Sequence, residues 1–356
     1  MKSRMKSLGI LLMIAAMAGS YYFLQRLLVP KYEGQVIEGN FISEYYKETT
    51  PHDLLILGDC EVYENISPVT LWEDYGITSF IRGSAQQLIP QSYYLLEDAL
   101  KEETPKAVLL SISAMQEGAQ VNEAYNRMTM DGMRWSMSKV HAIQATKMED
   151  ESLVDYLIPF LRYHSRWEEL GQDDLTYYWN RPLVSHNGYY MRADVQAVSS
   201  FPKERRLGDY RFPEISQKYL DRIRVLCENH GIRLILYKAP SLYPAWHDQW
   251  EEQIQSYADQ YQLDYINCIP QIETIGLDFN TDTYNGGQHL NVYGAEKLSD
   301  YLGMYLKERV DFEDHRQDES YADVWQQKVA FYDQMKADQE TEFAETGYLK
   351  KFASEE

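Results

Sequence analysis

The chain has 356 residues, a formal net charge of −21 and 44% hydrophobic residues, enough to bury a full core in one large domain or two small ones. The acidic balance excludes nucleic acid as a partner, because binding a phosphate backbone needs a concentrated basic surface, and it excludes broad docking on anionic lipid. The three cysteines, Cys60, Cys227 and Cys268, match no zinc spacing and make no disulfide framework.

Lys2, Arg4 and Lys6 precede an apolar stretch over residues 8–24, and Leu27, Leu28 and Val29 follow Gln25 and Arg26. Spanning a bilayer takes about 20 largely apolar residues, with Arg26 free to snorkel. Residues 1–30 are therefore expected to be a transmembrane anchor. The rival is a signal peptide cleaved near Ala16-Met17-Ala18, disfavoured because residues 21–24 carry the apolar run past that point. The basic flank sets the N-terminus in the cytoplasm. Both readings export the rest of the chain; with the anchor kept, it is the extracellular part of a single-pass cell-membrane protein.

Residues 31–52 read as a polar linker, and an α/β domain is expected over residues 53–310. The apolar run 53–58, ending at Gly58, predicts a buried strand. Ser67 as N-cap, Pro68 at the first helical position and Gly76 past the end predict a helix closing at Tyr75. Strands follow over 77–81 and 107–112, with a helix over 87–100 between them. From about Gln116 to Pro213 the alternation is lost. That stretch is too long for a loop and is expected to carry its own helices, as an insertion capping the sheet. The rhythm then resumes with a helix over 215–229, a strand over 233–237, a helix over 246–261, a strand over 264–267 and a helix over 292–306. Strands alternating with helices imply an α/β three-layer sandwich around a mainly parallel sheet, where ligands gather beyond the carboxyl ends of the strands. Residues 311–356 are highly charged, with a partial apolar stripe through Tyr321, Trp325 and Tyr332. They predict a surface helix that packs on the domain or on a partner.

Two short segments could carry chemistry. Gly58-Asp59-Cys60-Glu61 follows the first strand directly, and a nucleophile on a tight turn at a strand end is presented above the sheet. A buried structural cysteine is the plain alternative. Asn285-Gly286-Gly287-Gln288-His289-Leu290-Asn291 precedes the last helix of the domain. A histidine there can act as base to a nucleophile distant in sequence, or can simply close a turn. His247, Asp248 and Glu251 stand at near-ligand spacing on one helix, but no further ligand accompanies them. Neither a metal nor a cofactor is inferred.

Taken together these segments resemble the SGNH (GDSL-like) hydrolase superfamily, and within it the membrane-anchored DltD-like and cell-wall acyl-transfer proteins of Gram-positive bacteria. Gly58-Asp59-Cys60 is similar to the family's Gly-Asp-Ser block, with cysteine for serine. Arg82-Gly83-Ser84 resembles the second block, whose glycine N–H helps form the oxyanion hole, and His289-Leu290-Asn291 resembles the final block with its base. The resemblance implies a Cys60 nucleophile, a His289 base and an oxyanion hole from Cys60, Gly83 and Ser111, since Ser111 and Ser113 stand where the family has an asparagine. The family's acid lies three residues before the histidine, where this chain has Gly286. Asp282 is expected to orient His289 instead, with Asn285 in reserve.

Arg127, Arg134, His186 and Asn187 lie in the insertion, among aromatics suited to a glycan or an anionic acyl carrier; the same groups equally suit a small core with paired charges. Two functions remain. The first is an esterase or acyltransferase acting on O-acyl groups of an extracellular glycan or teichoic-acid polymer. Its implied partners are the membrane, that acylated cell-envelope polymer and a multi-span membrane acyltransferase. The second is an inactive module of the same fold that binds polymer or scaffolds a membrane complex.

Overall fold

The computed structural model of the chain describes residues 2–29, 40–179, 185 and 187–352. Five parallel strands form one sheet: β1 (Leu54–Gly58), β2 (Ser79–Gly83), β3 (Ala107–Ser111), β4 (Arg233–Lys238) and β5 (Asp264–Asn267). Their order is β2-β1-β3-β4-β5, the flavodoxin-like doubly wound arrangement, whose topological switch lies between β1 and β3. All residues of β1, β2 and β3 are buried, as expected of parallel strands covered on both faces.

Alternating side chains feed two cores. Leu54 and Ile56 join one face of the sheet. That face is covered by α3 (Cys60–Tyr63), α4 (Pro68–Tyr75), α13 (Ile272–Ile275) and α14 (Val292–Lys307). Leu55 and Leu57 join the other, under α2 (Asn40–Glu44), α5 (Ile89–Ala99), α7 (Met137–Thr146), α11 (Glu214–His230) and α12 (Asp248–Tyr261). The molecule is thus a three-layer α/β sandwich. Ser67 caps α4 through the Thr70 N–H at 3.2 Å, and Gly76 ends it with φ +67°, as the capping residues imply. β2 begins and ends two residues later than the apolar run suggests, because pairing with β1 continues to Gly58 opposite Gly83.

Before the sheet comes α1 (Lys2–Leu28). Within it, Lys6–Leu28 contains an 18-residue window of mean hydropathy 1.7 and is long and apolar enough to cross a membrane. Its last turn is packed: Leu27 and Leu28 are buried, and the Leu28 carbonyl accepts from Arg166 Nη1 at 2.7 Å. Residues 42–52, read above as linker, are also packed, with Ile42, Tyr45 and His52 all buried.

The insertion carries α6 (Glu123–Met130), α7, α8 (Leu153–Leu157), α9 (Phe160–Tyr163) and α10 (Gln172–Trp179). Its return is extended and stitched to the rest. Asn187 accepts from Ile81 N at 2.9 Å, Tyr190 donates to the Tyr63 carbonyl at 2.8 Å, and Arg192 accepts from Val292 N at 2.7 Å. The charged tail forms α15 (Glu319–Thr346), which lies back on α4 with Trp325 stacked on Trp72 at 4.9 Å. Lys328 of α15 is buried and donates to Glu48 Oε2 at 2.7 Å, to Ser185 Oγ at 3.2 Å and to Asn187 Oδ1.

Candidate active site

β1 ends at Gly58, whose φ of +150° suits glycine. A Cβ there would sit 2.5 Å from Ser111 Cβ, so only glycine lets β1 and β3 come this close. The chain then turns through Asp59, which caps α3 by accepting from Glu61 N at 3.2 Å. Cys60 is the first residue of α3 and half-buried. Glu64 follows one helical turn later, on the same face, and its N–H donates to the Cys60 carbonyl at 3.2 Å.

His289 arrives from the loop before α14. Thr283 and Asn285 lace that loop together. Thr283 Oγ1 donates to the His289 carbonyl at 2.7 Å and accepts from Gly287 N at 2.9 Å. Asn285 Oδ1 accepts from His289 N at 2.8 Å, which turns its Nδ2 toward the ring Nδ1, also at 2.8 Å. Asn65 Oδ1, one residue after Glu64, accepts from Leu290 N at 2.8 Å. The loop and α3 are thereby locked together. The Cys60 sulfur, a carboxylate oxygen of Glu64 and a ring nitrogen of His289 all lie within 4.8 Å of one another. Glu64 Oε2 is 3.3 Å from His289 Nδ1 and accepts from the Tyr284 hydroxyl.

The acid that meets His289 is therefore Glu64, not Asp282. Asp282 is buried, and its carboxylate is consumed elsewhere. It accepts from Lys297 Nζ at 2.6 Å, from Asp278 N at 2.8 Å and from Thr281 Oγ1 at 3.0 Å. It shapes the loop that carries His289 without reaching the ring. Asn285 does reach it. The two neighbours make opposite demands on Nδ1. The Asn285 amide nitrogen donates, so Nδ1 must accept from it, whereas a Glu64 carboxylate draws a proton onto Nδ1.

The site is rich in negative charge. Burial and the carboxylates of Asp59, Glu64 and Glu61 push the Cys60 thiol well above its ordinary value, so it rests as a thiol at neutral pH. Burial and then Glu61 push Asp59 up to about 7. Glu61 is paired with Lys238 and accepts from Ala239 N at 3.2 Å. Ser111, expected in the oxyanion hole, turns its hydroxyl to Asp59 Oδ1 at 3.3 Å and so already has an acceptor. Gly83 ends β2 level with Gly58, and a Cβ on it would come within 3.0 Å of the Gly58 carbonyl oxygen and Val62 Cγ2.

No protein-family model matches this chain, and no curated protein matches it. Among solved structures, a lipase/acylhydrolase from Enterococcus faecalis aligns with 72% of this chain and 96% of its own, at 11% identity and a TM-score of 0.32. A score that low assigns neither family nor activity. The fold class follows from the order and register of the sheet.

The insertion residues expected at the substrate do not gather at this site. Arg127 is buried, paired with Glu123 at 2.8 Å and Asp131 at 3.2 Å, and set over the Tyr156 ring. Arg134 is exposed over the Tyr46 ring and donates to the Tyr46 carbonyl at 3.0 Å. Asn187 is buried and donates to the Ser79 carbonyl at 2.8 Å, holding the edge of β2. His186 lies outside the described residues. A cleft of about 520 Å³ between α11 and α12 contains neither Cys60 nor His289 among its lining residues.

Proposed function

We propose that this chain is a membrane-anchored acyl-ester enzyme, an esterase or acyltransferase, with Cys60 as nucleophile, His289 as base and Glu64 as the acid that orients the base. The observation that carries this reading is the meeting of the three side chains within 4.8 Å at the carboxyl end of β1, the edge of the sheet where such folds place ligands. Because Cys60 rests as a thiol, proton removal accompanies attack. The mechanism requires the tautomer with Nδ1 protonated toward Glu64 and the Asn285 amide turned away from Nδ1. The sulfur then adds to the ester carbonyl carbon, and the thiol proton passes to Nε2 of His289. The carbonyl oxygen gathers negative charge toward the backbone N–H groups of Cys60 and Gly83. The C–O bond then breaks, the departing alkoxide takes the proton from His289, and a thioester remains on Cys60. Water or an acceptor hydroxyl attacks the thioester, gives its proton to His289, and releases the acyl group as acid or new ester while the sulfur recovers its proton.

The substrate class follows the resemblance of Gly58-Asp59-Cys60 and His289-Leu290-Asn291 to their family blocks: O-acyl groups on an extracellular glycan or teichoic-acid polymer. The apolar stretch of α1 supports anchoring, and the reading of the domain as outward-facing rests on the basic Lys2, Arg4 and Lys6 before that stretch. An inactive polymer-binding or scaffolding module is the second reading, and the acid-rich surroundings that hold Cys60 protonated favour it. Release of acetate or D-alanine from O-acylated polymer by the full-length protein separates the two. The enzyme reading expects loss in Cys60→Ala and His289→Ala and a slow residual rate in Cys60→Ser. Equal rates in all four proteins overturn it.

A further inference from the structure

We propose that Cys60, Glu64 and His289 also form a binding site for a divalent cation that takes mixed sulfur, nitrogen and oxygen ligands, zinc above all, and that its occupancy shuts off the nucleophile. The binding part stands on the side chains alone; the shut-off rests on the enzyme reading above. The spacing of the cysteines along the chain concealed such a site, because only one cysteine contributes and its co-ligands lie at residues 64 and 289.

The geometry is near that of an open zinc site. Zinc bonds of about 2.1 Å to nitrogen or oxygen and about 2.3 Å to sulfur put tetrahedral ligand atoms about 3.4 to 3.6 Å apart. Glu64 Oε2 and His289 Nδ1 are already 3.3 Å apart. The sulfur lies within 4.8 Å of a carboxylate oxygen of Glu64 and of a ring nitrogen of His289, so it has on the order of 1 Å to close. Three protein ligands beside a half-buried cysteine leave the fourth position to water, as in open zinc sites.

The surroundings provide the fixing groups that metal ligands need. The Tyr284 hydroxyl holds Glu64, and Asn285 Oδ1 holds the His289 backbone at 2.8 Å. Asn285 Nδ2 must swing away if Nδ1 is the ligating nitrogen. Charge points the same way. Glu61 is neutralised by Lys238, but the carboxylates of Asp59 and Glu64 beside the sulfur favour a cation there. A thiolate ligand excludes magnesium and calcium, which prefer all-oxygen sites. Binding exchanges the thiol proton for the metal: the S–H bond breaks, a sulfur–metal bond forms, and the proton leaves to the buffer.

The test uses full-length protein in detergent, titrated with Co²⁺ and, by equilibrium dialysis, with Zn²⁺. The parent should bind one equivalent of zinc and show a near-ultraviolet sulfur-to-cobalt charge-transfer band. Cys60→Ala and His289→Ala should lose both signals while keeping the parent's circular dichroism, and Glu64→Gln should bind zinc at least about tenfold more weakly. A cobalt spectrum without the thiolate band, or zinc binding unchanged in Cys60→Ala and His289→Ala, overturns the site. In ester turnover, zinc should inhibit the parent and a chelator restore it; stimulation by zinc overturns the shut-off. Zinc binding in a protein whose Cys60→Ala variant turns over ester like the parent sinks the nucleophile and keeps the metal site. The reverse pattern does the opposite.

Discussion

Replacing Lys328 with Met tests how the C-terminal helix is held. Lys328 is buried against Glu48, Ser185 and Asn187, and its loss leaves Glu48 buried with the Ser185 hydroxyl at 2.6 Å and His52 at 3.4 Å beside it. Burial alone would raise Glu48, but Lys328, followed by His52, draws it down from 4.5 to about 2. A shift of that size is worth about 3 kcal/mol at neutral pH. At the lysine end burial outweighs pairing and lowers its pKa, so the net value of the pair is smaller than that figure. Leaving one partner unpaired nevertheless costs about 3–5 kcal/mol, because the remaining charge is stranded. Lys328→Met should therefore lower unfolding stability by about 3 kcal/mol, measured by urea titration with tryptophan fluorescence, which reports on the stacked Trp72 and Trp325. Adding Glu48→Gln should recover part of the loss. A drop below about 1 kcal/mol, the range of an exposed pair, or a double variant no better than the single, would falsify this account.

Three further outcomes follow. Burial opposes protonation of His52, but hydrogen bonds to Glu103 and the Glu48 carboxylate 3.4 Å from Nε2 raise it to about 9. Its stabilisation, on the order of 3 kcal/mol, is complete below about pH 6.5 and lost as the pH rises through 9. Urea midpoints at pH 6 and pH 9.5 should show this fall, and His52→Asn should flatten it. Gly58→Ala forces a Cβ to within 2.5 Å of Ser111 Cβ and should cost folding yield, with Ser111→Gly restoring part of it; full yield from the single variant contradicts the close approach of β1 and β3. Glu64→Gln should slow ester turnover by about 10²–10⁴-fold, while Asp282→Asn, which loses its ion pair with Lys297, should lower stability and spare turnover. Equal kinetic damage from the two would return the orienting role to the loop.

The parallel sheet was legible because its strands are short apolar runs closed by glycine or polar residues, and the caps of α4 were legible because Ser67, Pro68 and Gly76 act locally. The loop of His289 was legible for the same reason. What escaped depends on contacts between distant segments. Asp282 is close to His289 along the chain, yet Lys297 claims it. Glu64 is 225 residues away from His289 along the chain and 3.3 Å away in space; its one signal was the four-residue step from Cys60, which aligns both on one helical face. Arg127 resembled a ligand-binding cation although Glu123 and Asp131, four residues to either side at helical spacing, signalled its pairing; its burial was what the sequence did not announce. Residues 42–52 are polar enough to pass for linker; their burial comes from Ile42 and Tyr45 joining the core, His52 meeting Glu103 and Lys328 docking on Glu48.

The contact between Lys328 and Glu48 also sets an order of events in the life of the molecule. The two residues are 280 positions apart, a gap that takes tens of seconds to synthesise at about 5–20 residues per second. Until Lys328 emerges, Glu48 lacks its main counter-charge and the layer over α4 lacks Trp325. The N-terminal half is therefore complete only once the C-terminal helix has been made. In the finished protein the same dependence runs backward. A protease that trims α15 removes the cation from beneath Glu48 and Asn187, and with it one support of the residue that holds the β2 edge.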